Sequence, residues 1–597
     1  MNWGDAFQRH WKPLTILFWV AASAYLIWDG WGRPGLDGIQ GFALGDTDDN
    51  LRMMQVRGWV DGSHGWYDLR QYRLSPPDGL SIHWSRLVDL PIVMLWNLAA
   101  LFTDGPEAET FAVTVAPLLP YLVMMLALGL AARRLLSPHA FWLVLTILVC
   151  CGTVRGMVAP LRIDHHGWQL AMLAVALAGL ADANKVRGGL TVGIASALSM
   201  TIGLEMLLYL ALAGVAIGLL WVRDEGEAPR LFAYGAGFAG VGTFGFLVFA
   251  SNDNWAPVCD ALSPVWLSVV LVAGAVAMGL AWLSPRDWPS RLGLATIGGM
   301  VLAVFYAVTW PHCLGRLEGV PPELDAMWLS NVREAMPIYR HGTGVMLSIM
   351  TIPLIGLIGY LAMIHRYRRH REVQLRWLAI GATALLSVLL LFWQTRAAAA
   401  AQLLAVPGAA GLGWALIAWF QRQRNMLVRV LGTAAAFALV SGMAVSEAYG
   451  WFQVPEEKTE YAQRIDNANF RCATMTYLAA VDRVPRGQVM TFVDMGPRLV
   501  TVTHHDAVAG PYHRNARAIL DVMHFFRGSA DQAKEIVDRR HIDYVLICPD
   551  MSESTIDRAD APDGMYVHLA RDEIPDWLEP VPLDGGYTPF KMWRVRR

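Results

Sequence analysis

The stretch Gly45-Asp46-Thr47-Asp48-Asp49-Asn50-Leu51-Arg52 follows the first apolar segment, 14–31, and puts three carboxylates and an arginine in eight residues. None of these groups can rest in lipid, since each carboxylate would cost roughly 2.5 to 3.5 kcal/mol at a bilayer centre. The stretch therefore lies at or beyond a membrane surface. It reads as a site built on a membrane scaffold.

The scaffold is evident from the rest of the chain. Of 597 residues, 55% are hydrophobic and 16% charged, against about 25% charged in soluble proteins, and the mean hydropathy is +0.36. Windows long enough to span centre on 14–31, 109–132, 139–154, 167–183, 188–204, 206–222, 231–250, 264–283, 291–310, 343–364, 376–394, 397–419 and 427–447, which predicts about thirteen transmembrane helices. The run 87–102 is short, contains Asp89, Pro91 and Asn97, and reads as a helix lying in the interface. With that run outside the count, Arg9 and Lys12, Arg133 and Arg134, Lys185 and Arg187, Arg223 and Arg230, Arg286 and Arg291, Arg366 to Arg371, and Arg422 and Arg424 share one side. By the positive-inside rule that side is the cytoplasm, and the C-terminus is outside. The basic N-terminus and its apolar run resemble a signal peptide, but apolar residues continue to Trp28 and an uncleaved anchor fits better.

The same parity puts the loops 32–108, 155–167, 251–263 and 311–342, and the turn Gln394 to Arg396, on the outer face with Asp46. Residues 1–448 thus read as the membrane domain and 449–597 as a soluble α/β domain outside the membrane, with strand-like runs at Gln488 to Val493 and Tyr544 to Ile547. The net charge of −2 and the lack of a basic tract with interleaved aromatics give no sign of nucleic-acid binding. Cys150 and Cys151 lie in a membrane helix and read as buried thiols. Cys259, Cys313, Cys472 and Cys548 lie on the outer side, where an oxidising compartment permits disulfides. Four cysteines allow three pairings, of which Cys259 with Cys313 and Cys472 with Cys548 is preferred.

Five outer features could carry chemistry. Asp46, Asp48 and Asp49, with Arg52 beyond them, suit a hard divalent cation, although acidic runs are often only solvated loops. Arg162-Ile163-Asp164-His165-His166 offers carboxylate and imidazole ligands in one turn. Glu334 lies in Asn331-Val332-Arg333-Glu334 and Glu205 in the turn between the fifth and sixth windows. Arg396 sits at a helix end where it could meet phosphate oxygens or merely snorkel. His504-His505-Asp506 and Tyr512-His513-Arg514-Asn515 are conspicuous in the C-terminal domain, without an assigned reaction.

Taken together, an outer-loop Asp followed by Asn-x-Arg (Asp46 to Arg52), an Asp-His-His loop, a loop ending in Glu334, about thirteen helices and an outer C-terminal domain resemble the GT-C membrane glycosyltransferases. Among these the pattern is most similar to the oligosaccharyltransferase catalytic subunit and its single-subunit bacterial and archaeal relatives. The resemblance covers roughly residues 1–448. It implies catalytic roles for Asp46 and Glu334, a Mg2+ or Mn2+ ion on Asp46, Asp164, His166 and Glu334, and donor phosphate on Arg396. It also implies a polyprenyl-phosphate- or pyrophosphate-linked sugar donor, a glycan, lipid or protein acceptor, and a bacterial inner membrane with the C-terminal domain in the periplasm. The chain departs from the pattern in having no Trp-Trp-Asp motif within 449–597 and in carrying Asn-Val-Arg before Glu334. A lipid or solute transporter is the rival from another class. It would place ionisable residues at mid-membrane, where this chain has almost none.

Overall fold

A computed structural model describes residues 9–29, 35–315, 317–452, 458–472, 475–583 and 588–597. Principal helices are labelled in chain order: α1 Trp11–Asp29, α2 Thr47–Val60, α3 Asp89–Ala99, α4 Gly105–Val115, α5 Leu118–Leu135, α6 Phe141–Cys150, α7 His166–Leu180, α8 Lys185–Ile202, α9 Leu207–Arg223, α10 Ala228–Phe249, α11 Pro264–Leu283, α12 Trp288–Thr309, α13 Thr343–Arg366, α14 Arg371–Leu391, α15 Ala398–Gln421 and α16 Met426–Val440. The protein is a multi-pass membrane protein. Its long membrane helices are predominantly apolar, as a bundle bathed in lipid requires.

The expected thirteen spans are matched only in part by length and apolarity. Among the described residues eight helices are long and apolar enough to cross a membrane, or nine if α16 and the helix after it, bent by 84°, form one span. The windows 139–154, 167–183 and 206–222 hold helices of 10, 15 and 17 residues. Hydropathy scores residues, whereas the chain decides where a helix stops: α6 ends at Cys151, whose backbone is extended. The window 188–204 does hold an 18-residue helix, α8, but Lys, Arg, Thr, Ser and Gly dilute its hydropathy. The run 87–102 forms α3, 11 residues long, which at 1.5 Å per residue cannot cross a hydrocarbon core of about 30 Å.

Glycines let the helices close up. A Cβ on Gly189 of α8 would stand 2.0 Å from the Arg230 carbonyl oxygen of α10, and one on Gly359 of α13 would stand 1.9 Å from the Gly408 carbonyl oxygen of α15. These pairs pack backbone against backbone, the close approach that small residues permit in membranes.

The C-terminal domain has α17 Met495–Val502, α18 Ala516–Arg527 and α19 Ala530–Arg540 around a mixed sheet. Its strands are β1 Gln488–Met490, β2 Asp506–Ala507, β3 Tyr544–Ile547, β4 Leu578–Pro580 and β5 Lys591–Val595, in the order β2-β1-β3-β5-β4. β1 runs parallel to both β2 and β3, and β5 runs antiparallel to β3 and β4. Disulfides join Cys259 to Cys313 and Cys472 to Cys548, leaving Cys150 and Cys151 as thiols.

The loop between α2 and α3 completes the sheet edge. Ser75 N donates to the Ala507 carbonyl and Ala507 N to the Arg73 carbonyl, each at 2.9 Å. Arg73 also donates to the carbonyls of Val500, Thr503 and His505 at 2.8, 2.6 and 2.5 Å. Between these anchors α17 lies on α2: Thr501 Oγ1 donates to the Asn50 carbonyl at 3.0 Å and Arg498 Nη1 to Asn50 Oδ1 at 3.2 Å. The domain is thereby seated over the first acidic stretch.

Substituting Gly359 by Val should drive α13 from α15 and destabilise the bundle by about 1–3 kcal/mol or more. A lowered unfolding temperature in detergent, with Gly299→Val as the control at a position with no atom within 4 Å, checks this.

Candidate functional site

The acidic stretch starts a helix. Asp46 has extended backbone and its Oδ1 accepts from Thr47 N at 2.6 Å, which starts α2 at Thr47. Asp48 and Asp49 therefore fall in the first turn, where carboxylates meet the positive end of the helix dipole. The second motif lies on the loop into α7, entered through Leu161 with φ +72°. That conformation is costly for a bulky side chain, and it delivers Arg162 into the acidic group.

Arg162 organises the site. Its guanidinium approaches Asp46 Oδ2 at 2.8 Å, Asp49 Oδ2 at 3.4 Å and Asp164 Oδ2 at 2.6 Å, with only 15% of the side chain exposed. Asp49 Oδ1 accepts from Asp164 N at 2.9 Å, and Asp164 Oδ1 accepts from His166 N at 3.0 Å, so the two motifs lock together. Burial works to raise the Asp46 and Asp164 carboxyls, but the Arg162 charge outweighs it, and His166 adds to the effect at Asp164; both end below the usual range. Asp48 has no such partner, and burial together with the charge of Asp46 pushes it up to about 7. Burial likewise raises Asp49.

The remaining expected residues gather on the same side. His165 Nε2 meets Glu205 Oε1 at 2.9 Å, and Gln169 Nε2 donates to Glu205 Oε2. Burial works to raise Glu205, but its bond to His165 and the nearby His166 outweigh it and hold the carboxyl well below its usual range. Glu334 pairs with Arg396, and the Glu334 charge is felt at Asp48. Arg52 is different: it is fully buried, pairs with Asp89 at 2.5 Å and lies over the Trp84 ring at 4.4 Å, a structural role.

The donor geometry for a metal differs from the expected set. Asp46 and Asp164 are held by Arg162, and Glu334 by Arg396. Asp48, His165 and His166 instead bring their ligand atoms within 4.8 Å of one another. His165 Nδ1 is buried without a hydrogen-bond partner, and His166 Nδ1 lies 3.2 Å from Asp164 Oδ2. One carboxylate and two imidazoles are ligand types that suit a divalent cation, which would have to displace the proton that Asp164, outweighing burial, stabilises on His166, whose pKa is raised to about 9.

Asp494 is a residue the sequence reading passed over. It precedes α17, its side chain reaches solvent, and its enclosed surroundings and the Asp46 charge push its carboxyl up to about 6. Glu553, largely buried, fixes that turn by accepting from Val493 N at 2.8 Å and Asp494 N at 2.9 Å. An aspartate closing a strand-to-helix turn, Phe492-Val493-Asp494-Met495-Gly496, is the signal that could have found it. A cavity of about 500 Å3 lies by the far end of α2, lined by Arg57, His64, Tyr72, Arg73, Asp482 and His504, away from these groups.

No protein-family model and no curated protein sequence matches the chain. Solved structures do. The archaeal oligosaccharyltransferase AglB of Archaeoglobus fulgidus, in complex with an inhibitory peptide and a dolichol-phosphate, aligns with a TM-score of 0.68 at 13% identity, over 96% of this chain and 73% of that one. The A. fulgidus enzyme tethered to an acceptor peptide containing the NVT sequon aligns with a TM-score of 0.66 at 13% identity, over 99% and 74%. Its complex with Zn and sulfate gives 0.59 at 14%, over 92% and 69%. At these identities the likeness is one of fold: the chain is folded like the archaeal oligosaccharyltransferase over nearly its whole length.

Replacing Glu553 by Ala should leave two buried amide donors unpaired, at a cost of about 1–3 kcal/mol, and release Asp494 from its turn. Hydrogen exchange at Val493 and Asp494 should accelerate in this variant while exchange in α13 and α15 is unchanged.

Proposed function

We propose that this chain is an inverting glycosyltransferase that takes a sugar from a polyprenyl phosphate or pyrophosphate and transfers it to a glycolipid or polysaccharide acceptor. One observation supports this above the others: four sequence-distant motifs, at Asp46, Asp164, Glu205 and Glu334–Arg396, meet at one end of a GT-C helix bundle. The bundle offers a lipid tail an apolar surface, and a transporter would need its ionisable groups within the membrane. The expected setting is the periplasmic face of a bacterial inner membrane.

In this reading Asp46, ionised because Arg162 stabilises its charge, orients an acceptor hydroxyl and takes its proton as the new bond forms. Arg396 meets the donor phosphate, which competes with Glu334 for the guanidinium and stabilises negative charge as the sugar leaves. Asp48, His165 and His166 would hold a divalent cation. Asp46 and Asp164 would join them only by releasing Arg162. When bound, such an ion supplies Lewis-acid stabilisation of the leaving phosphate. Two imidazoles favour Mn2+ over Mg2+. Asp494 gives the C-terminal domain a carboxylate within electrostatic reach of Asp46, positioned to meet the acceptor.

A protein acceptor is the second reading, favoured by the peptides in the similar A. fulgidus structures. Glycopeptide analysis of cells with and without the protein separates the two.

Purified wild-type protein, given a lipid extract with polyprenyl-linked sugars and Mn2+, should consume donor, and EDTA should stop it. Asp46→Ala and Glu334→Ala should each lower turnover by at least 100-fold, on the order of an essential catalytic group, with unchanged gel-filtration profiles. Full activity in both variants sinks the site assignment.

A further inference from the structure

Beside the site just described lies a second cluster that the proposed reaction does not use. His83, Asp260 and His513 bring their ligand atoms within 4.8 Å of one another. They come from three separate segments: the loop between α2 and α3, the loop between α10 and α11 next to Cys259, and the C-terminal domain. His513 Nε2 lies 2.5 Å from Asp260 Oδ2, with side-chain exposures of 15% and 9%. The His83 ring faces that of His513 at 5.0 Å, and His83 Nδ1 is buried with no hydrogen-bond partner.

The Asp260 carboxylate is braced from behind. Arg514 donates through Nε to Asp260 Oδ2 at 2.7 Å and through Nη2 to Oδ1 at 2.6 Å, while its Nη1 is tied to Asn254 Oδ1 at 2.9 Å. A carboxylate fixed by such hydrogen bonds is oriented as metal-ligating carboxylates are. The disulfide to Cys313 and the bond from Trp266 Nε1 to the Cys259 carbonyl at 2.7 Å hold the neighbouring residue in place.

We propose that His83, Asp260 and His513 form a second metal site, for Zn2+ or a transition metal of similar preference, that clamps the C-terminal domain to the membrane part. Two imidazoles and one carboxylate are a ligand set with room for a fourth, exchangeable ligand. Arg514 opposes ions held mainly by charge, such as Ca2+ and Mg2+, which want oxygen ligands. Bonding through two nitrogens selects Zn2+ despite it. His83 also lies within 4.8 Å reach of a set with His165 and Glu205, so the assignment turns on whether His513 or Glu205 completes the site.

The full-length protein, stripped of metal and loaded with Zn2+, is freed of weakly held ions by gel filtration and its retained zinc is counted. The background Asp48→Asn/His166→Ala removes the other donor set. In that background one zinc per chain should remain, and His513→Ala and His83→Gln should each abolish it, whereas Glu205→Gln should not. Zn2+ should raise the thermal unfolding temperature in the background and not in the His513→Ala or His83→Gln versions. Retention of the zinc by both His513→Ala and His83→Gln, its loss on Glu205→Gln alone, or no zinc in the background protein would overturn the proposal. The two histidine variants guard against one of them failing to fold.

Discussion

One guanidinium bridges the carboxylates of Asp46, Asp49 and Asp164, and the rest of the site depends on that contact. Like charges a few ångströms apart repel by several kcal/mol where water is scarce, so these side chains could not share a pocket without a cation among them. Arg162 neutralises only one of the charges. The excess is relieved by protonation, with Asp48 raised to about 7 and Asp49 raised as well. The site is thus assembled by its own arginine, with His166 beside Asp164 as a second cation.

Much of this was legible in the sequence because bilayer physics sorts residues so strictly. Asp46, Asp164, Glu205, Glu334 and Arg396 are far apart in the chain, yet the spacing of apolar windows assigned them to one membrane face, and the structure brings them together. Helix count was harder to read. Apolar content does not reveal that α6 breaks at Cys151, or that helices of 10 to 17 residues can be buried among longer ones. Which side chain faces which was hidden too. The bridging role of Arg162 depends on the left-handed backbone at Leu161, and Arg52 turned out to serve Asp89.

The C-terminal domain was the least legible part, for a physical reason. Its residues earn their place through contacts with segments hundreds of positions away: Arg498 and Thr501 with Asn50, Tyr512 with Thr47 at 3.0 Å, and His513 and Arg514 with Asp260. Periodicity reports on a residue's own element and is silent about such pairings. His504 and His505, conspicuous in the sequence, are spent on backbone carbonyls of Val484 and Val481 at 2.9 and 3.0 Å. They serve to hold the domain together.

The edge of the five-stranded sheet carries a consequence for how such proteins can diversify. β2 is two residues long and is continued outward by the hydrogen bonds of Arg73 and Ser75, which belong to the membrane part. Cut away or exchanged for another domain, the sheet would present an open strand edge of the kind that recruits other chains, and the carbonyls of Val500, Thr503 and His505 would lose Arg73. The two parts therefore cannot be shuffled as independent cassettes. Change in the domain has to come by substitution within it, and the loop at Arg73 and the sheet it completes must vary in concert.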